Sequence, residues 1–374
     1  MSSNSTTDSQ GRVLSPIMRR LGCFLLLLLS FSIAAAQGDE IGYIEGRIIA
    51  IDEARNVAIV ALPDRTVEAQ LGTGFAMEGA PLLEFREGQR VELYFAPGPD
   101  GQRQYNVADW VRRPALLWLL GLFVLVALVV ARGKGLRAII ATSASLIVII
   151  AFIVPGILAG HNPLLISFIG AGGILILAIY FVHGLNWSTT AALLGTLIAV
   201  AITMGLGIAF SDLAHLTGMG DDKAMFISFG APQIALKGLL LAGLVIGALG
   251  ALADITIVQA SVVRELAHAN PNFGLRELYR RAMKVGLEHV GSLIDTLVLA
   301  YTGAALPLLV LLNLSEVGTI RALNLELVAT EIVRILVGSI GLILAVPLTT
   351  LLAALLFRGD RLPGKPGLEP GHKH

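Results

Sequence analysis

Gly243-Leu244-Val245-Ile246-Gly247-Ala248-Leu249-Gly250-Ala251-Leu252-Ala253-Asp254-Ile255-Thr256-Ile257-Val258 is the stretch that decides the fold. A single carboxylate stands in an otherwise apolar run, which reaches from about residue 236 to 262. A run of that length crosses a hydrocarbon core of about 30 Å as a helix rising about 1.5 Å per residue. Gly243 and Gly247 make a small-xxx-small spacing that lets helix backbones approach, although such pairs are common in membrane helices.

Working outward, apolar stretches near 115–131, 137–158, 163–182, 188–210, 285–313 and 329–357 complete a set of seven predicted spans. Pro155-Gly156, Pro307 and Pro347 interrupt them. Such breaks survive in a bilayer where protein or a water-filled cavity satisfies the freed backbone. Composition agrees: 55% of residues are hydrophobic and 14% charged, against about 25% charged in soluble chains. The predicted fold class is an α-helical polytopic membrane bundle of about seven transmembrane helices in the mature chain, with a small N-terminal all-β domain. The formal net charge is zero, so no basic excess points to nucleic acid. The one cysteine, Cys23, excludes an intrachain disulfide and a cysteine metal cluster. No cofactor and no metal site is expected.

The N-terminal third has its own organisation. Residues 1–36 read as a leader and signal peptide, or as an uncleaved anchor. Arg19-Arg20 precede the apolar run Leu21 to Ile33, and Ala34-Ala35-Ala36 offers a cleavage site. Residues 37–113 read as a β-rich extracytoplasmic domain. Short apolar runs (Ile48 to Ile51, Val57 to Leu62, Val91 to Phe95) are separated by turn signals such as Pro63-Asp64 and Pro97-Gly98-Pro99-Asp100-Gly101. About five strands suggest a small barrel or sandwich, with an OB-like barrel as one option. Residues 114–358 form the membrane domain and 359–374 a cytoplasmic tail.

Lysine and arginine in short loops set orientation. Arg132, Lys134 and Arg137 follow the first span. Arg264, Arg276, Arg280, Arg281 and Lys284 follow the fifth, and Arg358, Arg361, Lys365 and Lys373 lie in the tail. With seven spans all three groups share one side. The ectodomain is therefore expected outside a cytoplasmic membrane and the C-terminus inside.

Ionisable groups within apolar spans carry the functional signal. Asp254 lies ten residues before Arg264 and Asp295 eleven residues after Lys284, so helix rise puts both about 15 Å deep on antiparallel neighbours. Glu288, Ser292 and Asp295 share one helical face, beside His289; Asp254, Ser261 and Glu265 share another. A carboxylate at mid-bilayer costs about 3 kcal/mol or more, and such residues face a bundle interior and mark ion or proton routes. Asp254, Glu288 and Asp295 are the coupling candidates, with Ser261, Glu265, His289 and Ser292 as supporting groups. A neutral, hydrogen-bonded structural carboxyl is the competing reading. Glu331 and Arg334, at i, i+3, read as a structural pair. The connection from Ser211 to Pro232 offers Thr217, Gly218 and Asp222 as loop candidates for gating or ligand contact, against a plain solvated loop.

The membrane region resembles the YibE/F family of bacterial membrane proteins. Gly247 through Asp254 to Glu265-Leu266, Leu297 to Leu309, Ala329 to Thr349 and Leu216-Thr217-Gly218 carry the likeness. It implies a polytopic bacterial inner-membrane protein and no defined reaction. Asp295 departs from the asparagine that the resemblance implies there, which moves weight to Asp254 and Glu288. A shorter likeness, from Asp254 to Val258 with Arg264-Glu265, is to the proton-relay helix of SecD/SecF and RND-type proteins. The expected function is a proton- or ion-coupled secondary transporter or export accessory acting on a small solute or ion. The alternative is a non-transporting envelope scaffold that binds a partner or a second copy. An intramembrane aspartyl protease is a third reading, weakened because Leu252-Ala253 precede Asp254 where Gly-x-Gly would be needed. No kinase, P-loop, zincin or Ser-His-Asp motif appears, so no enzyme activity is expected.

Overall fold

The computed structural model describes residues 42–71, 84–98, 102–315 and 318–357. The predicted signal peptide and the C-terminal tail lie outside the described residues. Two compact units divide near Gly121.

The first unit contains β1 (Gly42–Asp52), β2 (Val57–Ala61), β3 (Thr66–Gln70), β4 (Arg90–Pro97) and β5 (Arg103–Trp110). They close into a barrel of order β1-β2-β3-β5-β4. All pairings are antiparallel except β3 with β5, where Ala69 faces Tyr105. Alternation drives closure: Ala58 and Val60, and Val91 and Leu93, are fully buried, and Ile48, Ala69 and Val107 complete the core. The long strand β1 serves two partners, pairing with β4 through Arg47 and with β2 from there onward. Its register shifts between Ile48 and Ala50, a bulge that bends the strand around the barrel. Gly46, ahead of the shift, lies close against β2, where a Cβ would come within 2.4 Å of Val60 Cγ1 and 2.9 Å of the Ala61 carbonyl. The expected strand-rich domain is therefore present as a five-stranded barrel.

The second unit is helical. Helix α1 (Arg113–Val148) continues through a π-helical turn (Ile149–Ile153) into α2 (Val154–Leu158). Then come α3 (Pro163–His183), α4 (Trp187–Leu213), α5 (Asp222–Gly230) and α6 (Leu236–Ala269). They are followed by α7 (Leu275–Ala304), α8 (Leu306–Leu314), α9 (Thr319–Leu323) and α10 (Glu326–Phe357). Local chemistry fixes several ends. Asn162 Oδ1 accepts from the Leu164 and Leu165 amides and Pro163 occupies the first turn, which starts α3. Asn186 and Thr189 form a capping box at α4.

Five helical stretches are long and apolar enough to cross a membrane, or six if α7 and α8, bent by 57° at Ala305, form one broken span. Against the expected seven, the difference lies in the first two spans and in the bent α7–α8 pair. The first two predicted spans fall in one stretch, Arg113–Leu158, whose two helical segments meet at a kink in the charged connector. At about 1.5 Å per residue this stretch is roughly twice the hydrocarbon thickness. It is not continuous: Arg132 has φ 49° and ψ −129°, left-handed values that break a helix.

Helix α10 lies at the centre, packed on α4, α6 and α7, while α6 also touches α3, α4 and α7. Small residues set the approach. A Cβ on Gly195 would meet Thr349 Oγ1 at 2.1 Å, and one on Gly341 would meet Thr203 Oγ1 at 1.9 Å. Pro347 is accommodated inside α10 without ending it.

Candidate functional site

Two rungs set the register between α6 and α7. Near one end, Gly247 faces the Tyr301 hydroxyl, 2.5 Å from where a Cβ would stand. Further along, Gln259 Nε2 donates to the Ala282 carbonyl at 3.0 Å and its amide packs on Gly286. Asp254 lies between Gly247 and Gln259, and Ser292 and Asp295 lie between Gly286 and Tyr301. The antiparallel register therefore brings Asp254 to the height of Ser292 and Asp295.

The expectation that these carboxylates point into the bundle needs correction. Asp254, Glu288, His289, Ser292 and Asp295 are all exposed in the single chain. The buried face of α6 is taken by Leu252, Ile255, Thr256 and Gln259, and that of α7 by Gly286, Val290 and Leu297. The carboxylate stripes stand to one side of both. The supporting groups do not bind the carboxylates. Ser261 Oγ donates to the Ile257 carbonyl at 2.8 Å, and Glu265 accepts from Arg264 at 2.9 Å. His289 Nδ1 lies 3.1 Å from the Val285 carbonyl.

One turn beyond Asp254, a polar cavity of about 380 Å³ opens at the C-terminal end of α6. Lys134, Arg137, His183, Asn186, Ser261 and Arg264 line it. Helices α1, α3, α4 and α6 thus bring polar side chains together at one place.

At the opposite end Glu326, which opens α10, holds the loop after α4. Its carboxylate accepts from the Thr217 amide at 2.7 Å, the Gly218 amide at 2.6 Å and the Thr217 hydroxyl at 2.8 Å. Gly218 has φ +83°, and a Cβ there would lie 2.5 Å from the Leu236 carbonyl, so only glycine fits. Thr217 and Gly218 are thus anchored to α10 by their amides. Asp222 opens α5, capped by Asp221 through the Lys223 amide. Glu331 accepts from Arg334 Nη1 at 2.6 Å, both side chains being largely shielded, and Arg334 lies over the Tyr301 ring at 6.0 Å. The pair borders a cavity of about 200 Å³ with Asp221 and Lys223.

Sequence reasoning missed Glu326 and the buried polar seam of the core. In that seam Thr196 and Thr256 hydroxyls meet at 2.6 Å, and Gln259 Nε2 donates to Thr350 Oγ1 at 2.7 Å. The spacing of Thr189, Thr196 and Thr203, i, i+7, i+14, was the available signal. Among the described residues no group of His, Cys, Asp or Glu could hold a metal.

A bundle of long apolar helices with small-residue contacts between them defines an integral membrane protein. The family model of the YibE/F-like proteins matches residues 119–359, and the chain belongs to that family. No curated protein and no solved structure matches it.

Proposed function

We propose that this protein is a proton- or ion-coupled secondary transporter or export accessory of the bacterial inner membrane, with Asp254 and Glu288 or Asp295 as coupling groups. One observation carries the reading: carboxylates on α6 and α7 stand at matched height within apolar helices, exposed on the single chain. Lipid contact there would be costly, so a water-filled route or a second subunit must face them. The bend between α7 and α8 at Ala305 supports it, because broken helices line the routes of many transporters. Dividing the first apolar stretch at Arg132 and counting α7 with α8 as one span gives seven crossings. The barrel, read as OB-like, is then extracytoplasmic, preceded by a signal peptide, and the C-terminus is cytoplasmic. The test is purified protein in proteoliposomes with a pH-sensitive dye under an imposed ion gradient. Asp254→Asn, near-isosteric with the protonated acid, should insert normally and abolish proton movement, and Glu288→Gln should weaken it. Equal proton movement in wild type and Asp254→Asn would reject the coupling role.

The separate, self-contained barrel favours a second reading, an envelope scaffold that binds a partner through this domain. A partner that co-purifies in fixed ratio, with function retained after Asp254→Asn, would support it over transport.

A further inference from the structure

The cavity at the C-terminal end of α6 has a chemical character that proton coupling does not explain. Three cations line it: Lys134 and Arg137 from α1, and Arg264 from α6. His183, at the end of α3, adds an imidazole, and Asn186 and Ser261 add neutral polar groups. No carboxylate lines it. Glu265 turns onto Arg264 at 2.9 Å, while Lys134 and Arg137 have no ion-pair partner among the described residues. Asp254 stays outside the lining. Lys134 and Arg137, without a counter-charge, repel each other and Arg264, and an anion seated among them removes that repulsion.

The surroundings indicate which anion. The turn between α3 and α4 presents Leu185 and Trp187, 82% and 53% exposed. Together with Asn186 and Arg264 they border an adjoining hollow of about 590 Å³. Tryptophan beside basic side chains at the end of a membrane helix is the composition of the headgroup level of a bilayer. Basic pockets between helix ends suit phosphate headgroups, with acyl chains lying on neighbouring apolar surface. We propose that the Lys134–Arg137–His183–Arg264 cavity binds the phosphate of an anionic phospholipid, with Leu185 and Trp187 bordering it at the headgroup level.

The site is independent of proton coupling, and its test reads binding rather than flux. Full-length protein in neutral detergent is titrated with phosphatidylglycerol, with phosphatidylcholine, and with inorganic phosphate at matched ionic strength, and bound ligand is counted by native mass spectrometry. Phosphatidylglycerol should bind and phosphatidylcholine should not. Lys134→Gln with Arg137→Gln should weaken that binding about thirtyfold. Arg321→Gln, in α9, should leave it unchanged. Lys134 and Arg137 are exposed, so the double variant should unfold at the wild-type temperature without ligand. If it does not, Lys134→Gln alone should weaken binding about fivefold. Inorganic phosphate binding that is lost in the same variants would keep the phosphate site and assign it a free anion in place of a lipid. Absence of binding by either ligand, or equal phosphatidylglycerol binding by wild type and double variant, would overturn the site.

Discussion

Gly286 leaves the space that the Gln259 amide fills: a Cβ on Gly286 would stand 2.8 Å from Gln259 Oε1 and 2.7 Å from Val346 Cγ1. Gln259 is 1% exposed and joins α6 to α7 through Ala282 and to α10 through Thr350. A buried amide in an apolar bundle must be satisfied, and here the missing side chain makes room for it. Gly286→Ala should lower stability by about 1–3 kcal/mol through overpacking, and Gln259→Ala by about 1–3 kcal/mol through lost hydrogen bonds and packing. Because the two share one space, the double variant should lose less than the sum. Thermal unfolding in detergent measures all three, and additive losses would contradict the shared space.

Glu326 gives a second expectation. Replacing its carboxylate by an amide turns an NH2 toward donors, so Glu326→Gln should cost about 1–3 kcal/mol. The loss should be local. Hydrogen exchange at the Thr217 and Gly218 amides should speed up while the helix cores stay protected. Unchanged exchange there would mean that Glu326 does not hold the loop.

Glu331 contrasts with Asp254. Its partner Arg334 is bound at 2.6 Å and their side chains are 22% and 28% exposed. Glu331→Gln leaves a partly shielded guanidinium without its anion, which should lower stability by about 1–2 kcal/mol. Proton movement per folded molecule should persist. A variant of full thermal stability that fails to move protons would make Glu331 a coupling group.

The barrel should fold alone. Residues 38–112, expressed without the helices, should give a β-rich circular dichroism spectrum, and a mainly helical or disordered spectrum would count against it. Within it, the hydrogen bond from Arg112 holds the Asp109 carboxyl below its ordinary value of 3.8. A depressed folded value means stability present above that ordinary value and lost as pH falls through the lower one. Both side chains are more than a third exposed, so solvent screening keeps the effect small. Asp109→Asn should therefore flatten the acid limb of the melting curve slightly and change little at neutral pH.

Orientation is testable without a purified protein. A reporter active only in the cytoplasm should work when fused after Phe357, and also when the chain is cut after Arg137. Failure of the first alone, in a well-expressed fusion, would mean an even number of crossings, as a single crossing by Arg113–Leu158 would give. Failure of both would reverse the orientation.

The apolar runs, their lengths and the strand-rich N-terminal segment are properties of local sequence, because bilayer and barrel both demand a periodic supply of apolar side chains. So is the matched depth of Asp254 and Asp295, which follows from helix rise and two charged helix ends. What the local sequence left open is rotation and partnership. Helix rise sets how deep Asp254 lies but not which way it turns, and packing gave the buried face of α6 to Leu252, Ile255 and Gln259 instead. Arg132 reads as loop in the sequence yet lies within a helical stretch that breaks at one residue. Glu326 looks like an ordinary first-turn acid until Thr217 and Gly218, more than a hundred residues away, arrive at its carboxylate. The basic side chains of α1 and α6 and the His183 imidazole of α3 likewise meet only when the bundle closes. Contacts between distant segments depend on which surfaces fit, and a steric match such as Gly286 with Gln259 has no signature in either segment alone.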